Sequence, residues 1–146
     1  MIYTVDASVF VAASREQEQQ SDASFECLHR LRAQRLTVVC PSLVLPECAA
    51  AVARATGVVE EADEILELLE TFPRLQLVPV GLSLARRAAQ IGKLQRLRGG
   101  DSVYVAVAEA FSATLITWDT EMLERAPAVV PTLTPADWPA QQPVTP

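Results

Sequence analysis

The segment Ile2-Tyr3-Thr4-Val5-Asp6-Ala7-Ser8-Val9-Phe10 decides how the rest of the chain reads. Ile2–Val5 is short, apolar and rich in β-formers, which marks a buried strand. It ends at a carboxylate. Asp6 interrupts an apolar run that resumes shortly behind it, so it is the acid hardest to explain as an ordinary surface residue.

Working outward, the pattern repeats. Leu36–Cys40, Leu75–Val80 and Thr114–Thr117 read as further short strands, with Val129-Val130 as a last one. Helical stretches lie between them. Ser8–Ala13 reads as a short helix or turn. Glu16–Ala33 places Phe25, Leu28 and Leu31 on one face. Pro41-Ser42 opens a helix that runs to about Ala55 and closes at Gly57, with Pro46 early enough to be tolerated. Val58–Thr71 carries Ile65, Leu66, Leu68 and Leu69 on its apolar side. Leu82–Leu97 is expected to stop at Gly99-Gly100. Asp101–Ser112 is rich in Ala and Val and reads as a helix packed on several sides; Asp119–Arg125 is a short helix.

Strands alternating with helices specify an α/β fold: a parallel sheet with helices on both faces and right-handed crossovers. No internal repeat is visible. The globular unit is expected over residues 1–131. Pro131, Pro135, Pro139, Pro143 and Pro146 predict an extended, partly mobile C-terminal tail over 132–146.

A chain of 146 residues makes about one domain and needs no covalent staples. With 18 acids against 12 bases the net charge is −6, which argues against holding nucleic acid by bulk positive charge. It leaves open a nuclease that uses acids to hold a metal. Cys27, Cys40, Cys48 and His29 form no CxxC pair and no zinc set. The N-terminus has no basic flank and meets Asp6 too soon for a signal peptide. No apolar run approaches a membrane span. These features predict a reduced, cytoplasmic protein. Glu60–Glu70 holds six acids and no base, whereas Arg86–Arg98 holds five bases and no acid. Either these are two solvated helix faces, or the basic helix faces RNA and the acidic one turns elsewhere.

In open α/β sheets, ligands bind beyond the carboxyl ends of the strands. Asp6 follows the first strand, and Glu47 lies in the first turns of the helix after the second. Asp101 opens a helix after Gly99-Gly100, and Asp119 follows the fourth strand. Singly, Asp101 and Asp119 could be helix caps and Glu47 a surface residue. Gathered on one rim, they would repel and raise one another's pKa unless a cation neutralised them. Oxygen donors without His or Cys suit Mg²⁺ or Mn²⁺, ions that serve phosphodiester hydrolysis.

VDASVF with Asp6, PSLVLPE with Glu47, GGDSVYVAVAE with Asp101 and LITWDTEML with Asp119 resemble, in order and separation, the motifs of PIN-domain nucleases. The similarity runs from Ile2 to about Pro131 and is nearest to the VapC-type toxins of toxin–antitoxin pairs. It implies a three-layer α/β/α sandwich around a parallel sheet of four or five strands. It further implies Mg²⁺- or Mn²⁺-dependent endoribonuclease activity, with Asp6, Glu47, Asp101 and Asp119 as metal-binding acids. Ser8 matches a position that would fix the Asp6 loop. Thr117 matches one that would orient Asp119 or a water. Glu121 would be a supporting acid or a plain surface residue. The resemblance also implies a small VapB-like antitoxin and a homodimer. Arg15, Arg86, Arg87, Lys93, Arg96 and Arg98 would hold the RNA backbone. Trp118, bulky for its place, would pack on a neighbouring helix or stack on a base.

Other classes fit less well. Aspartyl-phosphate chemistry of the haloacid type needs a second Asp two residues after the first, where this chain has Ser8. A receiver domain needs a Lys after a late strand, and Lys93 lies in another element. A non-catalytic PIN-like module that binds RNA or a partner would have no need of all four acids. A stand-alone RNA-processing nuclease without antitoxin differs from a toxin only in its gene neighbourhood.

Overall fold

The computed structural model describes residues 1–17 and 19–138. Five strands form one sheet, ordered β3-β2-β1-β4-β5, and every pairing is parallel. The strands are β1 (Ile2–Val5), β2 (Thr37–Pro41), β3 (Leu75–Val78), β4 (Thr114–Ile116) and β5 (Thr132–Leu133). Helices α1 (Ala7–Ser14), α2 (Ser21–Ala33), α3 (Val44–Thr56) and α4 (Val59–Thr71) pack on one another. Helices α5 (Leu82–Gln95) and α6 (Gly99–Ala110) form a second pair, and α6 rests on β1, β2 and β4. The short α7 (Thr120–Arg125) leads through one 3₁₀ turn, Ala126–Ala128, to β5. This is the three-layer α/β/α architecture expected from the alternation of elements. Among the described residues, no helix is long and apolar enough to cross a membrane.

The core explains why these segments are strands and helices. Tyr3, Val5, Val38, Val39, Leu115 and Ile116 are buried, as strands covered on both faces require. Edge strand β3 is only half-buried. In α6, Tyr104 to Ala108 are consecutive buried residues, the mark of a helix enclosed all round. The three cysteines are free and buried; desolvation pushes the Cys27 and Cys40 thiols up to about 12, so they remain protonated packing groups.

Several boundaries differ from expectation. Helix α2 starts at Ser21, not Glu16, and its inner stripe is Ser21, Ser24, Cys27, Leu28 and Leu31, while Phe25 is exposed. Helix α3 begins at Val44 without a side-chain cap, so Ser42 lies outside it. Its end is as expected: Gly57 adopts φ +70° and donates its N–H to the Ala53 carbonyl. Gly99-Gly100 does not stop α5. Arg96 does, in the left-handed conformation (φ 58°), and the two glycines form the first turn of α6.

The last strand is Thr132–Leu133 rather than Val129-Val130. Val130 turns into the core, and Thr132 and Leu133 pair with Leu115 and Ile116. The stretch expected as a mobile tail therefore begins as sheet. Trp138 is 1% exposed and meets Tyr3 edge-on at 5.5 Å. The remainder of that expected tail, 139–146, lies outside the described residues.

The chain moves from β1 to β2 and β3 on one side, then returns to β4 and β5 on the other. Strand order thus reverses between β1 and β4, where an open parallel sheet leaves a crevice at its carboxyl edge. Asp6 and Asp119 both emerge there.

Candidate active site

Parallel pairing sets Val5 opposite Ile116, so Asp6 and Thr117 leave the sheet side by side. The Asp6 N–H donates to the Ile116 carbonyl at 3.0 Å, and the Thr117 N–H to the Leu133 carbonyl at 3.0 Å. Asp6 precedes α1 as its N-cap residue, yet its side chain makes no capping bond. Instead Oδ2 accepts the Ser8 hydroxyl at 2.7 Å and the Thr117 hydroxyl at 2.9 Å. Both hydroxyls also accept. Trp118 N–H donates to Ser8 Oγ at 3.2 Å, and Asp119 N–H to Thr117 Oγ1 at 3.0 Å. Two small hydroxyl residues thereby tie the turn after β1 to the turn after β4.

Asp119 is the N-cap of α7. Its Oδ1 accepts the Met122 N–H at 2.9 Å, which places the carboxylate at the positive end of the helix. Its Oδ2 accepts Arg98 Nη2. Arg98 Nε donates to Asp101 Oδ2 at 3.0 Å and lies 3.8 Å from Glu121 Oε2. One carboxylate oxygen from each of Asp101, Asp119 and Glu121 falls within 4.8 Å of the others. Glu121 thus belongs to the acidic group, although a surface role was the simpler expectation; its other oxygen meets Arg125 at 3.2 Å.

Glu47 approaches from α3. A Cβ added to Gly100 would lie 3.5 Å from Glu47 Oε2, an ordinary contact distance, so the start of α6 runs beside this carboxylate. Asp6, Ser8, Gln20, Glu47, Arg98 and Asp101 line a cleft of about 600 Å³. Asp6 and Glu47 stand outside the 4.8 Å group but share its electrostatics. Burial raises the Asp6 carboxyl, the Ser8 and Thr117 bonds pull it back, and Asp119 raises it further. Burial also raises Glu47, and the charges of Asp6 and Asp101 add to that. Burial raises Asp101 against the opposing pull of Arg98, with Asp119 and Asp6 adding to the rise. Asp6 is buried, Glu47 and Asp101 are half-buried, and neighbouring acids disfavour the charge of each, an arrangement that a cation would neutralise.

The donor set tests what that cation is. Glu47 Oε1 is buried and completes no hydrogen bond among the described residues. The Tyr104 hydroxyl faces Glu47 and lowers its pKa somewhat, yet completes no bond of normal geometry either. A carboxylate whose buried oxygen completes no hydrogen bond of normal geometry among the described residues, beside acids that raise its pKa, fits a hard, oxygen-seeking cation such as Mg²⁺ or Mn²⁺.

The bases expected to hold RNA are dispersed. Arg86 and Lys93 lie on α5. Arg87 is engaged by Glu109 at 2.6 Å. Arg96 ends α5, and its carbonyl accepts Arg125 at 2.6 Å. Arg15 lines a different groove of about 420 Å³, shared with Glu61 and Glu64, that has no residue in common with the acidic cleft. Arg98 sits among the acids themselves. Trp118 packs: its indole N–H donates to Ser24 Oγ on α2 at 2.7 Å. Sequence reasoning missed Tyr104 and the placement of Arg98. The available signal was spacing: Tyr104 lies one helical turn beyond Asp101, and Arg98 one turn before it.

The PIN domain family model matches residues 3–128 of the chain. No curated protein sequence matches it. Several solved structures share the fold. The Rickettsia felis VapBC2 complex bound to a promoter DNA fragment superposes with a TM-score of 0.70 at 19% identity, covering 92% of this chain and 98% of that one. FitAcB from Neisseria gonorrhoeae gives 0.68 at 23% identity, over 92% and 98%. Mycobacterium tuberculosis VapC20, a sarcin-ricin loop cleaving toxin, gives 0.68 at 18% identity, over 84% and 93%.

Proposed function

Because the chain belongs to the PIN-domain family, we propose that it is a metal-dependent endoribonuclease and the toxin of a VapBC-type toxin–antitoxin pair. The observation that carries this reading is the rim itself. Acids from four separate elements meet beyond the carboxyl edge of a parallel sheet, and one of them keeps a buried oxygen that completes no hydrogen bond of normal geometry among the described residues.

Asp6, Glu47, Asp101 and Asp119 would hold Mg²⁺ or Mn²⁺, with Glu121 supporting. When bound, such a cation supplies a Lewis acid that polarises a phosphodiester and makes water a stronger nucleophile. The chain's own residues do the rest. Ser8 and Thr117 fix Asp6 and offset part of the rise that burial imposes on its carboxyl. The α7 N-terminus fixes Asp119. Arg15, Arg86, Arg87, Lys93 and Arg96 would meet the RNA backbone with their positive charges. Water attacking in line opposite the 3′ oxygen leaves 5′-phosphate and 3′-hydroxyl ends.

RNA as substrate is supported by the sarcin-ricin loop cleaving toxin among the structural neighbours. A VapB-like antitoxin is supported by the neighbouring VapBC complexes. A homodimer and a cytoplasmic location complete the reading. The test incubates purified, antitoxin-free protein with structured RNA in Mg²⁺, Mn²⁺ or EDTA and analyses the new ends. Metal-dependent cleavage with 5′-phosphates is expected. Ends bearing 2′,3′-cyclic phosphate would contradict it, because that chemistry uses the ribose hydroxyl as nucleophile.

A further inference from the structure

Arg98 belongs by sequence to the basic stretch Arg86–Arg98, yet it does not ride on α5. It is the N-cap residue of α6, and its guanidinium turns over the acidic rim. Nη2 donates to Asp119 Oδ2, Nε donates to Asp101 Oδ2 at 3.0 Å, and Nε lies 3.8 Å from Glu121 Oε2. These are the same three residues whose carboxylate oxygens fall within 4.8 Å of one another. The bonding of Asp119 sharpens the point. Its Oδ1 is taken by the Met122 N–H, so Oδ2 is the oxygen left for an outside partner, and Arg98 holds it.

We propose that Arg98 is a displaceable internal counter-cation. It occupies the oxygens of Asp101, Asp119 and Glu121 while the site lacks a metal ion, and it yields them when one binds. The proposal rests on the metal-dependent reading above. A guanidinium and a divalent cation cannot both sit on Asp119 Oδ2 without bringing like charges into contact. The planar fork lets one side chain serve two carboxylates, and it stays charged at every relevant pH. The Arg98 side chain is 67% exposed, against 15% for Asp101 and 22% for Asp119, so it is the outer partner. Ion pairs this exposed are each worth at most about fivefold in an equilibrium constant. That is enough to compete with an incoming cation and too little to lock it out.

The test is Mn²⁺ binding by the metal-stripped full chain without RNA, read from the resonance of free Mn²⁺. Arg98→Gln is expected to bind Mn²⁺ about three- to tenfold more tightly than the parent. Arg98→Lys, which keeps the charge but loses the fork, is expected to gain less. It carries the comparison if Arg98→Gln fails to fold. Lys93→Gln removes one charge from the last turn of α5 and is expected to stay within about twofold of the parent. The metal-free melting temperature of Arg98→Gln should fall, and its rise on adding Mn²⁺ should exceed the parent's. Equal or weaker Mn²⁺ binding by Arg98→Gln would overturn the proposal alone, as would an equal gain in Lys93→Gln. No Mn²⁺ binding by any of these proteins would overturn the metal reading and the proposal with it.

Discussion

The Thr117 hydroxyl donates to Asp6 Oδ2 at 2.9 Å, a fully buried bond between residues 111 positions apart. Thr117 Oγ1 in turn accepts the Asp119 N–H at 3.0 Å. One small side chain therefore serves both sides of the crevice at the point where strand order reverses. It lowers the pKa of a carboxyl that burial raises, and it satisfies the backbone that presents a second carboxyl.

Thr117→Val keeps the shape and removes both bonds. Leaving a buried carboxylate oxygen and an N–H short of a partner is expected to cost about 1–3 kcal/mol in denaturant unfolding. Asp6 would also lose one of the bonds that lower its pKa. The acidic limb of the activity profile should then move to higher pH. Thr117→Ser, which retains the hydroxyl, should recover most of both effects; a Ser variant no better than Val would contradict this role.

Asp6, Glu47 and Asp101 all have folded-state pKa values raised above their ordinary 3.8, 4.5 and 3.8, burial being the first cause in each. A raised carboxyl binds its proton more tightly in the folded state than in the unfolded one. Its stabilising contribution is therefore full below the ordinary carboxyl range and is lost as pH rises through the raised value. Asp6→Asn removes one such charge. In metal-free buffer it should be more stable than the parent at neutral pH, with the gap closing toward about pH 4. Adding Mn²⁺ should stabilise the parent more than the variant. A metal-free parent that is the more stable at neutral pH would contradict the electrostatic account.

Gly92 lies tight against α6. A Cβ there would fall 2.6 Å from Ser102 Oγ, which donates to the Arg98 carbonyl at 2.9 Å. Gly92→Ala should force that hydroxyl aside and destabilise by about 1–3 kcal/mol. Ser102→Ala in the same chain should recover a large part, a non-additivity that a double-mutant cycle measures. Strict additivity would mean that the two residues do not touch.

Trp138 lies past the boundary at which sequence reading ended the globular unit, yet it is buried against Tyr3 of β1. Trp138→Ala is expected to cost about 3–5 kcal/mol, as for other buried aromatics. A loss under about 1 kcal/mol would show that the segment contributes little.

The elements that proved legible are those where local and tertiary preference agree. Ile2–Val5 reads as β1 because its apolar run is short and ends at a charge, and Val59–Thr71 shows its apolar stripe directly. Errors arose where tertiary contacts override local signals. Ser21 and Ser24 face the interior of α2 while Phe25 is exposed, and the Ser24 hydroxyl is used by Trp118, a partner 94 positions away. The β-branched pair Val129-Val130 looked more strand-like than Thr132–Leu133, but pairing with Leu115 and Ile116 selects the latter. The four acids were visible because each sits at a strand end or near a helix start, positions that spacing encodes. Arg98 was less so: its spacing puts it one turn before Asp101, but a run of bases does not reveal that the chain leaves α5 at the left-handed Arg96 and that Arg98 opens α6.

If these carboxylates hold a metal for RNA hydrolysis, removing two of them must abolish cleavage. The measurement compares the parent with Asp6→Asn plus Asp101→Asn, prepared identically, in RNA cleavage with Mn²⁺ and with EDTA. Cleavage by the parent with Mn²⁺ alone, and none by the folded double variant, is the expected result. Cleavage that survives the double variant, or that proceeds in EDTA, would contradict it.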